Sequence, residues 1–340
     1  TSGACNTATG YNALFTNTTG GHNSAFGLCA LISNTTASYN TAVGGCTLFA
    51  NTTGSWNTAM GFGALKDNTC GCKNTASGMY ALQKTTTGSN NTAVGARALA
   101  CNTTGTLNTA SGSYTLFNNT TGVYNTADGY KALQANTTGD SNVAVGLFAL
   151  YYNTTANHNT AVGTYSQYSA STGACNTSIG YYSMFGRTTG NANTGMGMGA
   201  LRTLSTGHHN TASGHKAMCL TTTGSCNTAS GAYALRSNTT GGLNIATGGC
   251  ALYANTTGEY NTASGYKSMM TNTTGGCNAV HGVLALLLNT TGGNNVAVGN
   301  SALKSNTTAG NNTAVGAYAL CGNTTGVANT ASGAYALKSN

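Results

Sequence analysis

Apolar and polar positions alternate along this chain with a fixed period of 17 residues. Leu or Met occupies one place in nineteen of twenty repeats, as at Leu14, Leu31, Leu48 and Leu65, and only Gln167 departs from it. Numbered from its leading Asn as position 0, the repeat reads N-T-A-x-G-x-x-A-L-x-x-N-T-T-G-x-x, and twenty copies fill all 340 residues. Asn6, Asn23, Asn40, Asn57 and Asn74 open the first five, each followed four residues on by a Gly such as Gly10, Gly27 and Gly44. A unit this short cannot bury a core alone, so it must stack on its own copies. Gly at positions 4 and 14 leaves segments of about five to eight residues, which are strand lengths. The pattern predicts two short strands per coil, N-T-A-x and x-x-A-L-x, joined at the first Gly, with N-T-T-G as the return corner. The fold class is therefore all-β, a parallel β-solenoid (β-roll or β-helix) of twenty 17-residue coils. At ~4.8 Å per coil it would extend on the order of 95 Å.

The repeat register never breaks, so residues 1–340 read as a single uninterrupted repeat domain. Neither terminal coil differs from the middle ones, where a solenoid normally carries a cap. The chain is accordingly expected to be a segment of a longer array or a unit that stacks end to end.

Comparing coils with one another sorts the positions. Leu at position 8 and Ala at position 2 form the core, and the Asn column at position 0 should bond to its copies above and below. Side chains alternate faces along a strand, so Ala at position 7 should oppose Leu at position 8. Ala64, Ala81 and Ala98 would then face outward, where small side chains suit lateral packing against a second chain. Positions 5, 6, 9, 10, 15 and 16 carry nearly all the charges and most of the eighteen Tyr, which marks the solvent side.

Charge is sparse: 12 Lys+Arg against 4 Asp+Glu, with no run of like sign along the chain. Without a basic stripe, binding of glycans or nucleic acid by surface Tyr and basic residues ranks below the other readings, and no nucleic-acid partner is expected. Asp67, Asp128, Asp140 and Glu259 are scattered along the chain at three different positions of the repeat, so no two carboxylates pair for acid–base work. His208, His209 and His215 occupy different parts of the coil and read as surface residues. No phosphate loop is present. No catalytic residue, cofactor or metal site is expected, and no apolar run is long enough to cross a bilayer.

Of the twelve Cys, Cys29 and Cys46 share a position on adjacent coils, where the spacing would permit a disulfide. Asn-Thr-Thr occurs thirteen times at the return corner, and Asn17, Asn34, Asn51, Asn102, Asn119 and Asn136 are formal glycosylation acceptors. Asn and Thr are equally suited to turns, since their side chains bond nearby backbone.

N-T-A-V-G, at 40–44, 91–95, 159–163 and 312–316, resembles the S-V-A-I-G repeat of YadA-like trimeric autotransporter adhesin heads. It is also similar to tandem N-T-A-V-G-x-x-A-L repeats of phage and viral tail fibres. The resemblance implies a left-handed β-roll, often a homotrimer, serving as a stalk or head that binds a surface. The 17-residue period departs from the 14 typical of adhesin heads. Two functions follow as expectations. One is a structural extracellular fibre or adhesin-like rod on a cell or virion surface, self-associating laterally or end to end, with a glycan or surface receptor as partner. The other is an ice-binding protein whose Thr columns, at positions 1, 12 and 13, order water on a flat face. Two such columns must lie side by side, which adjacent strand residues do only if the corner bends between them.

Overall fold

The structure, a computed structural model, describes residues 2–186 and 188–339. Contacts group the chain into two compact units, Thr1–Thr172 and Gly173–Asn340. Among its described residues the first contains ten strands, from β1 (Thr7–Thr9) to β10 (Thr160–Val162). The described residues of the second contain ten more, from β11 (Thr177–Ile179) to β20 (Thr330–Ser332). Within each unit successive strands pair in parallel at a shift of one repeat, as in Ala42↔Ala59↔Ala76 and Ala229↔Ala246↔Ala263. The protein is a parallel β-solenoid of 17-residue coils, and no helix occurs among the described residues.

Among the described residues each coil has one strand, not two. The strand is the three residues after the leading Asn, and the A-L segment is a turn. The reason lies in the backbone at positions 6 and 8. Cys29 and Leu31 have φ of 54° and 52°, Tyr80 and Leu82 58° and 51°, and Tyr233 and Leu235 60° and 49°. Left-handed backbone at a residue with a Cβ costs roughly 1–2 kcal/mol. Here that cost is offset by bonding and burial. Leu31 N–H donates to Thr47 O of the next coil at 3.0 Å, while Cys46 N–H donates back to Leu28 O at 2.8 Å. The turn thus keeps its backbone hydrogen bonds along the stack without being extended.

This turn also decides what lies inside. Strict alternation of faces holds only for extended backbone, and a left-handed residue breaks it. Ala at position 7 and Leu at position 8 therefore both point into the core with Ala of position 2, as at Ala25, Ala30 and Leu31, all 0% exposed. Ala64, Ala81 and Ala98 are buried as well, so lateral packing through these alanines, expected from alternation, does not occur.

Gly at position 4 is explained by space and conformation together. Gly27 has φ of 138°, and a Cβ there would lie 2.5 Å from Gly44 O of the next coil. The corner Gly is less constrained, since Ala37, Ala156 and Ala309 stand in the same place.

Candidate functional site

Three polar columns tie coil to coil. At position 0, Asn40 Nδ2 donates to Gly54 O at 2.9 Å, and its Oδ1 accepts from Asn57 N–H at 2.9 Å. At position 11, Asn51 Nδ2 donates to Gly54 O at 2.9 Å and to Asn34 Oδ1 at 3.0 Å. At position 12, Thr52 Oγ1 donates to Thr69 O at 3.1 Å. The same bonds recur in the second unit, for example from Asn244 and Asn255 to Gly258 O at 2.8 and 3.0 Å. The leading Asn column was legible in the sequence; the second Asn column was read there only as a turn and a set of glycosylation acceptors.

That second column removes most of those acceptors. Asn34, Asn51, Asn102, Asn119 and Asn136 are 0% exposed. The Nδ2 that a glycan would occupy is committed inside the stack in each of them. Asn17 is half-buried and donates to Gly20 O at 2.9 Å. All twelve cysteines are free, so Cys29 and Cys46 form no disulfide. Both stand at position 6 in the same left-handed backbone, with φ of 54°, and no bond joins them.

The outer surface consists of further columns. Along the strand, position 2 is buried and positions 1 and 3 face out. Position 1 is mostly Thr, while position 3 is mixed, with Phe26, Met60, Ser77, Asp128 and His281. Most large apolar side chains left exposed stand at positions 3 and 5, on either side of the invariant Gly. They include Leu28 (52%), Met60 (44%), Phe62 (50%) and Met79 (48%) in the first unit and Ile179, Tyr181, Met196 and Met198 in the second. At the corner, Thr at position 13 is exposed, as at Thr36, Thr53, Thr240 and Thr257, beside half-buried Thr at position 12. The chain does bend between them, but the position-12 hydroxyl is already bonded to the neighbouring coil.

A third face, at positions 6, 9 and 10, collects aromatic rings and cations. The Arg97 guanidinium lies 5.9 Å from the Tyr80 ring centre and 5.7 Å from that of Tyr114. Lys131 lies 5.8 Å from Phe148, Arg202 5.5 Å from Tyr182, and Arg236 5.4 Å from Tyr253. Phe148, Tyr151, Tyr152, Tyr165 and Tyr168 pack together at ring separations of 4.6–6.1 Å. The Tyr168 phenol is pushed above the usual tyrosine range, first by burial, then by its hydrogen bond with Tyr152 and the nearby Tyr151 and Tyr165. Read along the chain, these charges form no run. They become visible only when counted by coil position.

His208 and His209 rings are 6.4 Å apart, and His215 packs instead on Tyr233 at 4.9 Å. Among the described residues no three His, Cys, Asp or Glu gather in a way that could hold a metal ion, and no helix is long and apolar enough to cross a membrane. No protein-family model matches the chain, and no curated protein matches it.

Proposed function

We propose that this chain is a structural protein, the repeat segment of an extracellular fibre or adhesin-like rod, acting by stacking and self-association rather than by catalysis. The observation that carries this reading is the set of exposed apolar side chains at positions 3 and 5, standing on a stack held by columns of hydrogen bonds. Exposed apolar side chains gathered on neighbouring coils, as at Phe26, Leu28, Met60 and Phe62 in the first unit and Ile179, Tyr181, Met196 and Met198 in the second, mark an interaction face. A second copy of the chain carries the same side chains at the same coil spacing, so the faces of two copies match within each unit. The small-residue motif shared with YadA-like adhesin heads and tail fibres supports an assembly of that kind, including a homotrimer, at a cell or virion surface.

Sedimentation and electron microscopy of the purified chain test this. Oligomers or filaments wider than one chain are expected, and Met60→Lys with Phe62→Lys should shift them toward monomer while circular dichroism stays unchanged. A wild-type chain that remains monomeric at every concentration would overturn the reading.

The Thr column at position 13 favours a second reading, ice binding, because it is both regular and exposed. It ranks below the first, since neither neighbouring column offers a matching row of unbonded hydroxyls. Thermal hysteresis abolished by Thr240→Tyr and Thr257→Tyr would place it first.

A further inference from the structure

We propose that the face at positions 6, 9 and 10 binds an acidic polysaccharide, its carboxylates met by Lys and Arg and its sugar rings laid against Tyr and Phe. This goes beyond the fibre reading, because a single chain carries the whole face.

The first observation is how charge is partitioned. In Gly173–Asn340 the described cations Arg202, Lys216, Arg236, Lys267, Lys304 and Lys338 all stand at positions 6 or 9, while Glu259 stands at position 15. In Thr1–Thr172, Lys66, Lys84, Arg97 and Lys131 share this face with one acid, Asp67. Like charges gathered on one side of a stack repel, and nothing in the core requires them there. A partner of opposite sign accounts for the arrangement.

The second observation is the shape between them. Each unit has a cleft on this face, made where a small residue interrupts a column of long ones. In the first unit Ala100 falls between Gln83 and Phe117, leaving a cleft of about 380 Å³ lined also by Tyr80, Lys84 and Arg97. In the second, Gly199 falls between Tyr182 and Lys216, leaving about 280 Å³ closed by Arg202 and Met198. Guanidinium and ammonium groups bond carboxylate strongly, and aromatic rings supply a rigid apolar surface for one side of a sugar.

Charge density favours this partner over nucleic acid. Six cations on ten coils of ~4.8 Å amount to about one per 8 Å, whereas duplex DNA carries a charge every ~1.7 Å. A polymer with one charge per sugar is the closer match.

Affinity electrophoresis of the full chain through gels containing polygalacturonate, dextran or no polymer decides the matter, with binding of a fluorescent oligo-dT measured in parallel. Retardation by polygalacturonate alone is expected, weakened by salt. Arg202→Gln with Lys216→Gln should weaken it roughly tenfold. Lys73→Gln, at position 16, should leave it unchanged. No retardation, equal retardation by dextran, tighter binding of oligo-dT, or equal loss in the Lys73 variant would each overturn the proposal.

Discussion

Asn40 and Asn51, eleven residues apart on one coil, donate to the same acceptor, Gly54 O, each at 2.9 Å. The carbonyl of the return corner is thereby held from both sides, by the amide that opens the coil and by the amide that turns it. Asn40→Ala removes one of these bonds and also leaves the buried Asn57 N–H without its acceptor. Two lost bonds and an unpaired donor should cost about 2–4 kcal/mol. The urea midpoint of the variant is the measurement; an unchanged midpoint would show that the column contributes nothing.

The second Asn column, that of Asn51, has gaps, and they point to a gain. Thr85 stands where the second Asn belongs, and the buried Asn68 Oδ1 below it has no partner. Thr85→Asn restores a donor to that oxygen and an acceptor for Asn102. Stabilisation of about 1–2 kcal/mol is expected, seen as a higher urea midpoint.

The spacing of Asn, Gly and Leu was enough to read the solenoid, because a strict period leaves stacking as the only way to bury Leu31 or Leu48. It did not reveal that Leu31 is left-handed. Non-glycine residues rarely adopt that conformation, and here the hydrogen bond to the next coil together with burial makes it tolerable. From that one omission followed the second strand and the outward placement of Ala81. Asn51 was misread for a different reason: a turn Asn and a ladder Asn look alike in sequence, and burial alone separates them. The cations at Arg97, Lys131, Arg202 and Lys216 were in plain view, but their common face emerges when positions 6, 9 and 10 of successive coils are read as one surface.

Ala81 supplies a direct check on that correction. It is 0% exposed, between the core residues of adjoining coils. Ala81→Glu places an unpaired carboxylate there, which a packed apolar core does not accommodate. The variant should lose its β-sheet circular dichroism rather than fall apart into thinner, folded assemblies. A folded monomer would restore the outward placement of position 7.

Gln167 is the one core position of the Leu column taken by an amide. It is 0% exposed, its Nε2 donates to Asn159 Oδ1 at 3.2 Å, and its Oε1 has no partner. A buried unpaired oxygen costs about 1–3 kcal/mol, which exceeds one long hydrogen bond. Gln167→Leu should accordingly stabilise the first unit, detectable as slower proteolysis of residues around it. Faster cleavage would mean that the amide is required where it stands.

Tyr168 links the aromatic cluster to pH. Its phenol keeps the proton to higher pH in the folded chain than in the unfolded one, because burial and the neighbouring tyrosines disfavour the phenolate. A group whose folded value is raised contributes stability that is complete below the unfolded value and is lost as pH rises through the folded one. Stability should therefore fall in alkali, starting near the ordinary tyrosine range. Tyr168→Phe has no proton to lose, so its urea midpoint should drop less between neutral and strongly alkaline buffer. An equal drop in both proteins would show that the cluster is open enough to titrate without strain on the fold.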